Sequence, residues 1–153
     1  MKTQSFTAHR DHLLVLDPDD EFVASLTDFA KKNRIEGGSF SAIGAFQRAT
    51  IAYWNRETKV YENIEIEEQV EVLALSGSIA RASDDVKIHA HAVLGRRYGS
   101  TVGGRNALSG SGRTAVVGVT ALISSYSRRL PLRRHGWRCY PDCRTRMTAS
   151  AAT

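Results

Sequence analysis

Between residues 39 and 94, apolar and polar side chains alternate in short segments that are separated by polar turns. Successive side chains of a β-strand point to opposite faces, so this period of two predicts strands with one buried and one exposed face. The strands predicted in this part cover residues 39–46, 49–54, 60–66, 70–80 and 87–94. A chain with so many alternating segments in succession is expected to fold around an antiparallel or mixed sheet.

One helix is predicted ahead of these strands. A short apolar strand, His12–Leu16, stops at Asp17, which is a good N-cap with Pro18 at the first helical position. Apolar residues then recur at helical spacing up to the glycines at 37 and 38, so we expect a helix over residues 18–34. Its apolar stripe has to cover the sheet. The pattern therefore indicates the α+β class, with a mixed or antiparallel sheet packed against a helix.

The length allows one domain. With 153 residues, of which 42% are hydrophobic, the chain can bury one core but not two. We expect residues 1–124 to form this domain and residues 125–153 to be a basic, disordered tail. No apolar run approaches the roughly 20 residues of a membrane helix, and residues 1–12 lack the apolar stretch of a secretory signal. We therefore expect a cytoplasmic protein without a membrane partner.

The basic charge of the chain is concentrated near its end. Residues 105–153 hold nine arginines, no lysine and one acid, Asp142, whereas residues 1–104 hold 12 Lys and Arg against 15 Asp and Glu. Two interpretations compete. The segment is a basic arm that binds nucleic acid, or it is the product of a frameshift in a GC-rich gene, which would also explain why Cys139 and Cys143 both fall there. This cysteine pair alone is a weak sign of a zinc site or disulfide.

A His-x-His pattern lies in the last of the alternating strands. His89 and His91 are expected on one face of the strand, about 7 Å apart, with Ile88, Ala90 and Ala92 on the other face. Two imidazoles placed in this way can share one metal ion. A hydrogen-bonded polar pair is the alternative.

Taken together, several segments resemble the PPC domain, the domain conserved in plants and prokaryotes, whose function is largely undefined. The resemblance covers about residues 5–120 and rests on the order and spacing of Ser41–Phe46, Glu71–Gly77, His89–His91 and the loop at Gly103-Gly104. It implies an α+β fold related to that of acetolactate decarboxylase, a zinc enzyme, and it implies a homotrimer. Plant members of the family bind DNA through separate AT-hooks, and prokaryotic members are often labelled DNA-binding by association.

The resemblance also implies a zinc site, from which this chain departs. Some members of the family bind zinc through His-x-His and a later Gly-Gly-His. His89 and His91 match the first two histidines, but Arg105 follows the glycine pair, and an arginine has no lone pair for a metal. A substitute ligand could come from Glu71, from His135 or from a neighbouring subunit.

Two functions follow as hypotheses. The first is a DNA-associated regulatory module by family analogy, although residues 1–104 are net acidic and no Arg-Gly-Arg-Pro hook occurs. Its DNA contacts would come from the arginines of the tail, with Trp137 stacking on a base: Arg128, Arg129, Arg133, Arg134 and Arg138.

The alternative is a zinc-dependent enzyme or a small-molecule binder that uses the His-x-His strand and is impaired by Arg105. Glu71 is then the first choice for a catalytic carboxylate, because it opens an apolar strand. In a third interpretation the protein is an assembly module, in which four strand aromatics line a subunit interface or pack in the core: Phe46, Tyr53, Trp54 and Tyr61.

Overall fold

The computed structural model describes residues 7–82, 85–106 and 114–127. Within them the chain forms seven strands and one helix. In chain order these are β1 (Thr7–Leu16), α1 (Phe22–Lys32), β2 (Gly37–Asn55), β3 (Val60–Ile66), β4 (Val70–Ala82), β5 (Asp85–Gly95), β6 (Thr101–Asn106) and β7 (Ala115–Ser127).

The strands form one sheet in which every pairing is antiparallel. The order is β1-β7-β2-β4-β5-β6, and β3 pairs with β2. The long strand β2 holds the sheet together, because its first half lies between β7 and β4 and its second half pairs with β3. Residues Ile51 and Ala52 of β2 also pair with β6, which closes β2, β4, β5 and β6 into a ring.

Helix α1 covers one face of the sheet and leaves the other open. Phe22, Leu26 and Ala30 of the helix are fully buried, as their helical spacing requires. The Phe22 ring lies 6.0 Å from the rings of both Phe40 and Phe46 in β2. The core therefore lies between α1 and the sheet, and the face away from α1, here called the open face, has no cover in the described structure.

The helix is shorter than the predicted 18–34. It begins at Phe22, and Glu21 caps it by accepting a hydrogen bond from the Ala24 amide at 2.6 Å. The preceding residues bond to β7 instead: the Asp19 amide donates to the Val116 carbonyl at 2.9 Å, and Asp19 adopts a positive φ of 72°. These tertiary bonds replace the first helical turn that Pro18 suggested.

The predicted break between residues 46 and 49 is also wrong. Strand β2 is continuous, and the polar pair Gln47-Arg48 lies where its register on β7 shifts between Phe46 and Arg48. Such a bulge lets a strand bend without ending.

Gly77 allows the neighbouring strands to approach β4 closely. A Cβ at this position would lie 2.3 Å from the His89 carbonyl oxygen and 2.5 Å from Cζ of Phe40. The bulge in β4 lies elsewhere, between Val72 and Ala74. Because Gly77 has no side chain, the β5 backbone at His89 and the Phe40 ring of the core can both lie close to it.

Candidate functional site

The two histidines lie on the open face, as their alternation predicts. His89 and His91 are exposed on β5, whereas Ile88, Ala90 and Ala92 are buried. In the sheet register His89 lies opposite Ser78 of β4, and His91 lies between Ser76 of β4 and Arg105 of β6.

The side chains of His89, His91 and Arg105 meet in one cluster. Nε2 of His89 lies 3.2 Å from Nε2 of His91, and Nε of Arg105 donates to Nδ1 of His89 at 3.3 Å. On its other side the Arg105 guanidinium stacks on Tyr61 of β3, with Cζ 4.5 Å from the ring centroid. Trp54 of β2 supports Tyr61 at a centroid distance of 4.7 Å. Arg105 is therefore held from both sides.

These contacts determine where the imidazole protons lie. Arginine can only donate, so Nδ1 of His89 must accept, and the single proton of the neutral ring is on Nε2. Nε2 of His89 then donates to Nε2 of His91, which leaves the His91 proton on Nδ1. The pKa of His89 is lowered from its ordinary 6.5, first by partial desolvation of the ring and then by electrostatic interaction with Arg105 and with His91. The neutral form of His89 is thus favoured.

A metal ion fits the spacing of the histidines but not their donor set. Two nitrogens that bind one tetrahedral zinc ion at about 2.1 Å lie about 3.4 Å apart, close to the distance between the two Nε2 atoms. However, Nε2 of His89 carries a proton and Arg105 adds a fixed positive charge beside it. No group of three His, Cys, Asp or Glu side chains suited to a metal occurs within the described residues. The cluster therefore does not fit a resident metal.

The structure does not bring Glu71 to the histidines. Glu71 is on β4 opposite Gly95, four residues along β5 from His91, which corresponds to about 13 Å. Its side chain is exposed, although it opens an apolar strand. His135, the other proposed substitute ligand, lies outside the described residues.

The glycine pair lies in a strand and not in the predicted loop. Gly103 and Gly104 are part of β6 and pair with Val93 and Ala92 of β5. A Cβ on Gly104 would lie 3.1 Å from the carbonyl oxygen of Ala52 in β2. The glycine pair thus lets β6 approach β2, where the ring of strands closes, and places Arg105 beside His91.

The four strand aromatics have different environments. Phe46 is in the core, Tyr53 is 64% exposed, and Tyr61 and Trp54 form the support of Arg105. This support was missed in the sequence, because it depends on the registers of β2 with both β3 and β6. The sequence pattern indicates only that Arg105 stands where a third metal ligand is expected.

Comparison with known proteins defines the family. The family model of the Plants and Prokaryotes Conserved (PCC, also written PPC) domain matches residues 3–123. The chain belongs to this family. No curated protein matches it.

Solved structures of similar proteins agree with the PPC fold. A metal-containing protein from Archaeoglobus fulgidus is 29% identical, with a TM-score of 0.75 over 83% of this chain and 86% of that one. A PPC protein from Pyrococcus horikoshii is 24% identical, with a TM-score of 0.77 over 84% and 86%. A protein from Bacteroides thetaiotaomicron, described as a putative DNA-binding protein, is 25% identical, with a TM-score of 0.71 over 81% and 86%.

A second feature of this PPC protein is a cationic end of the sheet. The C-terminus of α1, the starts of β1 and β2 and the end of β7 meet there, because Gly38 pairs with Ser125 and Arg10 pairs with Ser125 from the other side. A cleft of about 270 Å³ opens at this end. It is lined by Arg10, His12, Asn33, Arg34, Ile35, Glu36, Ser125 and Tyr126.

The five tail arginines predicted to bind DNA lie outside the described residues. No helix within the described ranges is long and apolar enough to cross a membrane.

Proposed function

We propose that this PPC protein is a DNA-associated regulatory module whose DNA contacts come from the cationic end and the arginine-rich segment 128–138. One observation carries the proposal: β7 ends at Ser127, opposite Thr7, so the described chain leaves the sheet at the cationic end, and the arginine-rich segment follows Ser127 in the sequence. The description of the Bacteroides relative as a putative DNA-binding protein supports it.

Charge at the cationic end supports contact with phosphate groups. Arg10 and Arg34 both line the cleft, and neither forms an ion pair within the described residues. Glu36, the acid in the cleft, is engaged by Arg81 at 2.8 Å. Lys32 adds a further cation at the end of α1. A phosphate is the group that such an arrangement attracts.

The opposite end of the sheet is acidic. The β2–β3 hairpin and the turn that follows carry Glu57, Glu62, Glu65, Glu67 and Glu68. The net acidity of residues 1–104 is thus compatible with DNA binding, because much of it lies at the end of the sheet opposite the cationic end. A DNA duplex would be attracted to one end and repelled by the other.

Fluorescence anisotropy with a labelled duplex across a salt series tests the proposal. We expect binding that weakens with salt, with a slope that becomes shallower by about 0.9 for each phosphate that a variant no longer neutralises. Replacement of the five tail arginines by glutamine should remove most of the slope, and R10Q/R34Q should remove a smaller part. The matched control is R56Q/K59Q, which removes two cations from the acidic end. Unmeasurable affinity of the wild-type protein at about 50 mM salt would contradict the proposal.

A zinc-dependent enzyme or small-molecule binder is the second candidate. The Nε2 spacing of the two histidines and the metal-containing relative from Archaeoglobus favour it. The protonated Nε2 of His89 and the charge of Arg105 disfavour zinc binding at the cluster. Both are compatible with binding of a small molecule without a metal.

We also propose that the protein assembles as a homotrimer through the open face. Six large apolar side chains on this face are 42% to 68% exposed: Leu13, Val15, Ile43, Leu73, Val93 and Leu122. They form a band across β1, β7 and β2, since Leu13 pairs with Leu122 and Thr120 pairs with both Val15 and Ile43. On β4 and β5 the band continues with Leu73, which precedes Ala74, the partner of Val93. An apolar band of this kind marks an interaction surface.

Sedimentation equilibrium tests the assembly. The wild-type protein should sediment as three chains, and Ile43→Glu should sediment as one, because a charge would be buried in the interface. Val60→Glu is the matched control, since Val60 is 53% exposed on β3 and pairs away from this band. A wild-type monomer at all concentrations would contradict the trimer.

A further inference from the structure

The cluster on β5 and β6 offers only hydrogen-bond donors to a ligand. Nε of Arg105 donates to His89, and one face of its guanidinium stacks on Tyr61. Its terminal Nη groups have no acceptor within the described part of the chain. Nδ1 of His91 carries a proton and also lacks a described partner. An arginine fork beside an imidazole N–H suits an oxygen-rich anion.

No acid among the described residues neutralises the positive charge of the cluster. Arg105 forms no ion pair with the described acids, and Glu62 on β3 instead accepts from the Asn55 side chain at 2.6 Å. The open face beside the cluster carries the hydroxyl groups of Ser76 and Ser78, which lie opposite His91 and His89. A guanidinium that is fixed in orientation and forms no ion pair with a described acid is a typical setting for carboxylate or phosphate recognition.

We propose that His89, His91 and Arg105 form a metal-free site that binds a small oxyanion, either a carboxylate or a phosphate. Arg105 supplies the charge and the two Nη donors, and His91 supplies the Nδ1 proton. His89 does not contact the anion. It links Arg105 to His91 and so fixes the tautomer that turns the His91 donor outward.

Arg105 excludes a metal by two separate effects. Its Nε donor keeps the His89 proton on Nε2, the atom that would have to bind the ion. Its charge lies beside the place that a dication would occupy. The register pairs Arg105 directly with His91, so a histidine at this position would place a third imidazole next to the other two. The substitution Arg105→His alone would therefore convert the proposed anion site into a three-histidine site suited to a metal.

Titration calorimetry and histidine NMR with inorganic phosphate and with acetate test the anion site. We expect saturable binding of at least one of them, with a shift of the His91 ring signals. Arg105→Gln should weaken it about tenfold or more, because a charge-assisted hydrogen bond is removed. Arg97→Gln, which removes an exposed arginine from the β5–β6 turn, should leave binding unchanged. The stronger of the two probes identifies the ligand class.

Cobalt(II) absorption tests the exclusion of metal. Arg105→His should bind about one ion per chain with the visible bands of a tetrahedral site. The wild-type protein should show no bands at the same concentration. If the glutamine variant fails to fold, Arg105→Lys replaces it, since the lysine keeps the charge but lacks the planar fork and should bind the anion more weakly. Stoichiometric cobalt in the wild-type protein, or equal anion affinity in the wild-type and glutamine variants, would overturn the proposal.

Discussion

At the scale of single residues, the state of His89 depends on three neighbours. Burial, Arg105 and His91, in that order, lower its pKa below 6.5. In the unfolded chain the ring has its ordinary pKa and takes up a proton as the pH falls through 6.5, while the folded ring remains neutral to lower pH. Unfolding is then favoured by proton uptake, so stability decreases as the pH falls from 7 until the lowered folded pKa is passed.

We therefore predict that the melting temperature falls more steeply between pH 7.5 and pH 5.5 (roughly one unit either side of the ordinary histidine pKa) in the wild-type protein than in His89→Gln. The effect should be small, because His89 is exposed and solvent screens its interactions. His12→Gln, on the edge strand β1 outside the cluster, is the control. Equal slopes in the wild-type protein and His89→Gln would show that His89 does not contribute.

A second prediction at this scale concerns Gly77. An alanine there would overlap the His89 carbonyl and the Phe40 ring, so β5 or the core must shift. We expect Gly77→Ala to lower the free energy of unfolding by about 1–3 kcal/mol, which is typical of overpacking. Gly37→Ala is the control, because a Cβ at Gly37 has nothing within 4 Å. Urea denaturation measures both, and equal effects of the two substitutions would refute the role assigned to Gly77.

At the scale of elements, features that depend on neighbouring residues were predicted correctly from the sequence, whereas features that depend on contacts between distant residues were not. Alternation is local, so it identified strands β2 to β5 and placed both histidines on one face. The helix start failed because the bond from Asp19 to Val116 spans most of the chain. The break at Gln47-Arg48 failed because a bulge accommodates two polar residues without ending β2. The stack of Arg105 on Tyr61 likewise depends on strand registers that no local pattern contains.

Helix α1 supplies the prediction at this scale. Leu26 is fully buried between the helix and the sheet. Leu26→Ala should cost about 2–5 kcal/mol in free energy of unfolding, because it removes apolar contacts and leaves a cavity. Asp28→Ala on the exposed side of the same helix should change the stability by less than about 0.5 kcal/mol. A cost below about 1 kcal/mol for Leu26→Ala would mean that α1 does not cover the core as described.

At the scale of the whole molecule, the family match and the last described strand end within a few residues of each other in the sequence. The match runs to residue 123, past Arg105, and β7 ends at Ser127. The boundary near residue 124 and the frameshift origin of the tail stay predictions, as does a relation to acetolactate decarboxylase. Sequencing of the gene from codon 104 to its end tests the frameshift, and a single undisturbed reading frame would exclude it.

Removal of residues 128–153 should leave the folded domain intact. Every core side chain of the described structure lies between Leu16 and Ile123. We predict that the truncated protein unfolds with a free energy within about 1 kcal/mol of that of the full chain, and that it loses most of its salt-dependent DNA affinity. A larger loss of stability would show that the tail packs on the domain. Unchanged DNA affinity would remove the tail from the DNA interface.

The central claim is that Arg105 sets the protonation of the histidine pair and so makes this site metal-free. Nitrogen-15 NMR of the histidine rings in the wild-type protein near pH 7.5 (about one unit above the ordinary histidine pKa) measures this directly. We predict that Nε2 of His89 and Nδ1 of His91 carry the protons, and that Arg105→Gln abolishes this preference in His89. A His89 ring with its proton on Nδ1, and Nε2 free to bind a metal, would contradict the claim.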